Sequence, residues 1–402
     1  MYRIGLKLWS TNTDHYLSEA LRLHGEGVFS YIELYVVPDS LPLLPQWAGL
    51  DIPFVIHCPH FMHGFNLAKR EQKASNRAIY EQVRQYADRL KAPYIIFHGG
   101  IDGSIEETAR QLAAFRESRA LIENKPYRAL PNRMGGEFCR GVTVEEVSTV
   151  MERAGCGFCL DFGHAVCAAN SFGRNHRAFI RELLTLSPAM FHLTDLEDAA
   201  SEFDSHAHLG EGRFDVRIAL SLLPENALVT LETNKGFKEH LDDFVQDAQW
   251  MRRNQIVVRP VRAADIDLLF ELANDKLVRS NSFHTDPIRY EEHQRWFHAK
   301  TEDPDTMLLI VENAQGHFVG QIRFDQRQDS AEVSIVFSAE FRGKGLSSLA
   351  LRLALDYFRS RSPSPVVARV KAGNRPSLSL FAGSGFVRTS EDNGVIVFCY
   401  EE

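Results

Sequence analysis

Short apolar runs recur along the first part of the chain, each followed by a segment long enough for a helix. They are IGLKLW (4–9), YIELY (31–35), the run over 53–58 ending in FVIHC, YIIFH (94–98), ALIE closing 119–123, GFCLD (157–161), the run over 189–193 ending in FHL, and LVTLE (228–232). Apolar runs of this size, separated by helix-length segments, are what parallel strands covered on both faces look like. The intervening segments predict helices over 14–24, about 40–47, 71–91, 175–186, 215–222 and 238–253. Two further helices start at Ser104 and Thr143, where Glu107 and Glu146 stand at the capping-box position. Eight strand-and-helix repeats in about 250 residues predict a (β/α)8 barrel.

The pattern changes after polar RRNQ (252–255). A strand in IVVRPV leads to helices over 264–273 and 290–300, then to strands at 307–312, 317–325 and 331–337. These strands alternate, and turns at 313–316 and 326–329 predict an antiparallel meander. Helix 346–359, strand 366–371, a helix from Asn374 to Ala382 and strands within 385–399 complete an α+β domain. The expected boundaries are 1–253 for the α/β barrel and 256–402 for the second domain.

The length of 402 residues agrees with more than one domain, and 44% hydrophobic with 24% charged residues is a globular balance. A formal charge of −8 gives no global basic excess with which to follow a nucleic-acid backbone, although a local patch remains open. MYRIGLKLWS lacks the basic start and long apolar core of a signal peptide, and no run of about 20 apolar residues predicts a membrane span. Six scattered cysteines suit a reducing cytoplasm, which is the expected location. Cys156 and Cys159 have redox-motif spacing but fall on one strand, where alternating packing accounts for them.

The candidate chemistry lies at the ends of the apolar runs: His57, His98, Glu123, Asp161 with His164, His192, and Glu232, joined by Asp204 and His206 in DSHAHLGEG. In a parallel barrel these ends converge at one mouth. So many desolvated imidazoles and carboxylates need cations to be stable together. Their donor types suit two or three zinc ions, or manganese. Glu123 is placed to bridge two ions, and Asp204 and His206 can share a third with His164. Such a centre activates water and steadies a phosphate, or holds neighbouring sugar hydroxyls.

These motifs resemble the xylose-isomerase-like superfamily, and within it the endonuclease IV branch, over about residues 1–250. The resemblance implies that His57, His98 and Glu123 bind one ion, Glu123, Asp161, His192 and Glu232 a second, and His164, Asp204 and His206 a third. Glu123 and Glu232 are its candidate catalytic groups. In that branch the centre cleaves a phosphodiester beside an abasic nucleotide. The chain departs from it where HCPHF puts His60 in place of the aromatic residue of HxPY. Dense basic runs are absent, and the long loop 124–141 offers Arg128, Arg133 and Arg140 as anion contacts above the site. A sugar, sugar phosphate or nucleotide sugar is therefore the expected substrate, and nucleic acid the alternative.

In the second domain, strand 331–337 runs through FRGKG into a helix, a junction whose backbone N–H groups can nest a pyrophosphate. The segment resembles the acyl-CoA loop of the GNAT acetyltransferases, with Arg342, Gly343, Lys344, Gly345, Leu346 and Ser347 at the cofactor. Asn374, Ser377, Gly385 and Phe386 match that family's second signature. The resemblance implies acetyl-CoA as cosubstrate. Phe381 stands where the family often places a general-acid tyrosine, so His284, His293 and Glu332 are the candidate proton carriers, with His293 foremost. NDxxVR (274–279) and EHxxWF (292–297) resemble acetyltransferases of amino-sugar nucleotides in nonulosonic-acid synthesis. The expected whole is a bifunctional enzyme of amino-sugar or surface-glycan metabolism. The alternatives are a phosphodiesterase with an accessory acetyltransferase and a scaffold with no catalysis.

Overall fold

The computed structural model describes residues 2–130, 134–220, 222–224, 226–313 and 316–400. Arg133 of the expected anion contacts, and residues 314–315 of the expected turn, lie outside them. The chain divides into two compact units, Met1–Met251 and Arg252–Glu402.

In the first unit eight parallel strands close into a barrel: β1 (Arg3–Trp9), β2 (Tyr31–Tyr35), β3 (Phe54–His57), β4 (Ile95–His98), β5 (Ala120–Glu123), β6 (Gly157–Asp161), β7 (Met190–Leu193) and β8 (Leu228–Leu231). Strand β1 closes the ring by pairing Ile4 with Val229 and Leu6 with Leu231. Alternate residues face opposite ways along each strand. Ile4, Leu6, Leu8, Ile32, Leu34, Ile56, Ile95 and Ile122 pack outward with the helices in one large core. The other set forms a second cluster inside the barrel, of Tyr31, Val55, Ile96, Leu121, Cys159 and Met190. Two residues further along those same strands stand Glu33, His57, His98, Glu123, Asp161 and His192. A single pleat thus separates an apolar plug from a polar layer at the carboxyl ends.

Gly5 makes the plug fit. A methyl group there would meet the ring of Tyr31 at 2.4 Å, and that ring passes its hydroxyl to Thr230 at 2.9 Å.

The expected helices form with two differences. Ser104 and Thr143 accept hydrogen bonds from the backbone N–H of Glu107 and Glu146, but neither glutamate reaches back to close a capping box. Glu107 pairs with Arg110, and Glu146 accepts from the N–H groups of Gly141 and Val142. An additional helix, Phe162–Ser171, follows β6 directly and carries His164. Eight of its ten residues are buried, so it lacks the one-sided apolar stripe that marks a surface helix.

The second unit is a seven-stranded mixed sheet of β9 (Ile256–Pro260), β10 (Thr306–Asn313), β11 (Phe318–Gln326), β12 (Ala331–Phe337), β13 (Val366–Lys371), β14 (Val387–Asp392) and β15 (Val395–Tyr400), in the order β14-β15-β13-β12-β11-β10-β9. The expected meander is β10-β11-β12. Helix Leu346–Arg359 buries Leu346, Leu349, Ala350, Leu351, Ala354, Leu355 and Phe358, and Phe358 stacks on Phe324 of β11. The parallel pair β12-β13 is registered only at Ala331–Val366 and Glu332–Val367, after which its ladder stops. An extra short helix, Lys276–Asn281, is capped by Asp275.

Candidate metal centre and acyl-CoA loop

Most of the expected ligands converge because they occupy the last inward position of a strand or the residue beyond it, whereas His164 stands on the helix after β6 and Asp204 and His206 on the segment between β7 and β8. Glu123 is the hub. Its Oε2 lies 3.2 Å from Nε2 of His57 and 3.1 Å from Nε2 of His98, and its Oε1 lies 2.9 Å from Nδ1 of His164. Nδ1 of His192 is 3.0 Å from Glu232, 3.7 Å from Glu123 and 3.8 Å from Asp161. Asp161 caps the helix that follows it by accepting the backbone N–H of His164 through Oδ1, and its Oδ2 is buried without a hydrogen-bond partner.

The protonation pattern leaves ligand lone pairs free. Nδ1 of His57 is 2.8 Å from the Cys58 carbonyl, which can only accept, so that nitrogen carries the proton. Burial, assisted by the Lys7 ammonium, pushes the His57 pKa down and keeps the ring neutral. Its Nε2 lone pair therefore faces a carboxylate oxygen with no proton between them. Burial and Lys125 push His98 down to about 3. Glu123 stays ionised well below the usual carboxylate range, because the Lys125 ammonium, with a hydrogen bond from His164, outweighs the cost of its burial. Burial pushes Asp161 up to about 6.

Anionic oxygens, the neutral rings of His57 and His98 and a buried Asp161 oxygen without a partner are the marks of a site shaped for divalent ions, while the anionic groups around His164 and His192 push the pKa of both those rings up. Among the described residues, three sets of donor atoms lie mutually within 4.8 Å: His57, His98 and Glu123; Glu123, Asp161 and His192; and Glu33, His57, His192 and Glu232. The first two coincide with the residues expected to hold two ions. The set His164, Asp204 and His206 is not among them. Asp204 does touch both rings, at 3.2 Å from His164 and 3.1 Å from His206. The His206 side chain is 38% exposed.

Three charged residues at the centre escaped the sequence reading or were left there without a role. Glu33 accepts from Nε2 of His192 at 2.9 Å and from the Thr230 hydroxyl at 2.6 Å, which turns Nδ1 of His192 toward Glu123 and Asp161. Lys7 bridges Glu33 and Glu232 at 2.6 and 2.5 Å, so the third donor set already contains a cation. Lys125 lies 3.4 Å from Glu123 and 3.3 Å from Nε2 of His164. Both lysines sit in register with the inward-facing ligands, and that register was their signal.

Above the centre opens a cavity of about 500 Å³, lined by Trp9, Tyr35, Phe61 and Met62 and by described residues of the segment that follows β5. The segment folds back on itself through Ala129 and Glu137 and through Tyr127 and Cys139, and Ala129, Leu130 and Met134 line the cavity. Two of its expected anion contacts are already engaged. Arg128 pairs with Glu202, and Arg140 donates to the Gly103 carbonyl. His60 is half-buried, with its Nδ1 shielded from solvent and without a hydrogen-bond partner, and its ring is 4.9 Å from that of His98.

In the second unit, Gly343 and Gly345 both adopt left-handed φ angles, 71° and 72°, which L side chains resist. Helix Leu346–Arg359 begins at Gly345 with no side-chain cap and no acid in its first turn, so its leading N–H groups face outward unpaired by a side chain. A free helix start beside glycines is a phosphate cradle. Lys344 is exposed, Leu346 is in the core and Ser347 lies in the first turn. Arg342 donates to the Phe337 carbonyl and pairs with Asp275 at 2.7 Å, so it shapes the loop. Asn374 caps the next helix by accepting the N–H of Ser377. His293 is 1% exposed, with Nε2 on the Ile266 carbonyl at 2.8 Å, and burial pushes its pKa down. That ring ties two helices together and is closed to substrate, which corrects its place as the foremost proton carrier. Phe381 is buried against Phe386 and Phe398, so it is a core residue.

Residues 46–254, just over half of the chain, match the family described as Xylose isomerase-like TIM barrel. The chain belongs to that family. Residues 255–387 match the Acetyltransferase (GNAT) domain, so this member carries a GNAT domain after its barrel. Among similar proteins, the probable endonuclease 4 of Mycobacterium ulcerans is 27% identical over 182 residues, covering 44% of this chain and 70% of that one. An uncharacterized protein of Methanocaldococcus jannaschii is 25% identical over 141 residues, 34% of this chain, and the match spans only 29% of that protein's length. A spermidine N-acetyltransferase of Vibrio cholerae, solved with CoA and spermine, is 22% identical, with a TM-score of 0.33 over 36% of this chain and 93% of that one. No helix among the described residues is long and apolar enough to cross a membrane.

Proposed function

We propose that the barrel is a divalent-metal enzyme acting on a sugar or sugar phosphate, by hydrolysis or isomerisation. The GNAT domain, in the same reading, N-acetylates an amino sugar or its nucleotide with acetyl-CoA. The observation that carries the barrel reading is the His57 lone pair held 3.2 Å from an ionised Glu123 oxygen in a buried site. Two electron-rich atoms at that distance repel unless a cation lies with them. His57, His98 and Glu123 would hold one ion, and Glu123, Asp161 and His192, with Glu232 beside them, another. Bound ions would supply Lewis acidity and a water of lowered pKa, with zinc or manganese both matching the donor set.

The chain's own residues set what is bound. A cavity of about 500 Å³ with aromatic walls suits a small polyhydroxylated molecule. Glu33 keeps His192 in the ligand tautomer, and Lys7 bridges Glu232 and Glu33. In the GNAT domain, the cradle at Gly343–Ser347 would receive the pyrophosphate, and the ended β12-β13 ladder leaves strand N–H groups to hold the thioester carbonyl. The amine nitrogen attacks that carbonyl, the C–S bond breaks, the amine loses a proton and the thiolate gains one. Buried Phe381 donates none, so solvent or an exposed group supplies it.

The second reading is an endonuclease-like phosphodiesterase, favoured by the match to 70% of a probable endonuclease 4. Purified protein loaded with zinc or manganese separates the two. Turnover of a sugar phosphate, with an abasic duplex left intact, is the expected result. Cleavage of the duplex alone would establish the second reading, and absence of bound metal would defeat both.

A further inference from the structure

We infer that Lys235 is the anion contact of the barrel cavity, so that the molecule bound there carries a phosphate or another anionic group and is not a neutral sugar. This rests on the reading of the barrel proposed above and narrows it, because that reading holds sugar and sugar phosphate side by side.

The deciding observation is how the charges of the cavity are paired. Among the described residues, four lysine and arginine side chains line it: Lys7, Lys125, Arg128 and Lys235. Three are already matched. Lys7 lies 2.6 Å from Glu33 and 2.5 Å from Glu232, Lys125 lies 3.4 Å from Glu123, and Arg128 lies 2.5 Å from Glu202. Lys235 makes no ion pair among the described residues, and its Nζ donates only to the Thr233 carbonyl, at 2.7 Å. An ammonium carries three N–H donors, so the others stay open to a ligand. The side chain is half-buried, and burial pushes its pKa down to about 8 against the pull of Asp247 and Glu232. A partly desolvated charge short of partners costs stability, and an anion seated on it removes that cost.

The chain around Lys235 is fixed from both sides. The Thr233 hydroxyl donates to Asp247 at 2.5 Å, and the Gly236 N–H donates to Asp243 at 2.8 Å, both on helix Asp242–Asn254. Asp247 also takes His208 Nδ1 at 2.9 Å and the Leu209 N–H at 2.8 Å, so these carboxylates are spent on holding segments together. Strand β1 pairs with β8, so the turn after β1 adjoins this segment, and the Tyr16 hydroxyl joins the two by donating to the Phe237 carbonyl. Asn12, in that turn, also lines the cavity. Its Oδ1 accepts the Trp9 backbone N–H at 2.7 Å, which leaves its NH2 group as a further donor for an anion.

The test is ligand binding by the full-length chain loaded with zinc or manganese. Calorimetry follows glucose 6-phosphate, fructose 6-phosphate and ribose 5-phosphate, each against its parent sugar, with glucuronate as the carboxylate arm. Metal per chain is measured on the same samples. At least one sugar phosphate should bind more tightly than its parent sugar, and Lys235→Met should weaken it about 10- to 100-fold, the scale of a charge-assisted hydrogen bond. Lys235→Arg should recover most of that loss. A crystal structure with the tightest ligand should place its phosphate against Lys235. Tighter binding of glucuronate, weakened to the same degree in Lys235→Met, would uphold the contact and make the anion a carboxylate. Equal binding by the native and Lys235→Met chains overturns the inference, as does a phosphate seated away from Lys235 or no binding by any anionic probe. In those cases a chain that still holds metal keeps the barrel reading intact. A chain that holds none defeats that reading and the inference with it. If Lys235→Met does not fold, the native crystal structure and Lys235→Arg decide the matter.

Discussion

The two units solve the problem of binding charge in opposite ways. The barrel gathers side chains: at least nine ionisable groups, buried or nearly so, meet around one glutamate, with the ammonium groups of Lys7 and Lys125 among them. The GNAT domain uses its backbone: two left-handed glycines, an uncapped helix start and a strand pair whose ladder stops after two registered positions. The first arrangement is costly to disturb, since removing one partner leaves others buried and unpaired. The second is tolerant of side-chain change except where a Cβ would alter the chain's path. The barrel should therefore fail at single polar substitutions, and the GNAT domain at glycines.

The largest expected effect is at Glu123, which both ligand sets share. Glu123→Gln should empty both places and lower barrel turnover by about three orders of magnitude, the scale expected when metal-supplied chemistry is lost. Acetyl-CoA binding measured by calorimetry on the same protein should be unchanged. A loss of both in a folded variant would erase the contrast between the units.

Next is Gly345→Val, which puts a β-branched residue at φ 72°. The strain is on the order of 1–3 kcal/mol. If the loop relaxes to escape it, acetyl-CoA should bind about 10- to 100-fold more weakly, with metal content untouched. Unchanged affinity would show that the cradle does not depend on this backbone.

The smallest effect is expected at Lys235, which lines the barrel cavity and whose pKa burial lowers to about 8. A lysine depressed in the folded state binds fewer protons there than when unfolded, so between about pH 8 and 10.5 stability rises with pH. Lys235→Met should stabilise the barrel by about 1 kcal/mol at pH 7, and the gain should fade as pH rises through that window. Thermal melting across pH checks it, and a constant difference would place the effect in packing.

The same contrast explains what the sequence made legible. Barrel ligands end apolar strands, and a period of two residues fixes which way each points, so nine donors at matching places announce the mouth. The lysines were missed because an isolated Lys in IGLKLW or IENKP reads as a surface residue. Only its parity with the inward positions places it among the carboxylates. Helix Phe162–Ser171 was missed because burial on all sides erases the amphipathic period. The arginines of the long loop read as free anion contacts, since Glu202, the partner of Arg128, is 74 residues away along the chain. In the GNAT domain the glycine loop was legible from its spacing. His293 misled because a polar residue tying two helices looks, in one dimension, like one offered to a substrate.

The placement of the apolar plug one pleat below the ligands has an effect on assembly. If any strand slid by one residue, its imidazole or carboxylate would turn into the greasy layer beneath the helices, and an isoleucine or leucine would jut into the mouth. Correct pairing around the ring and the gathering of these donors at one mouth are therefore acquired together. A freshly refolding chain that takes up zinc would be reporting that its strands have found their proper neighbours.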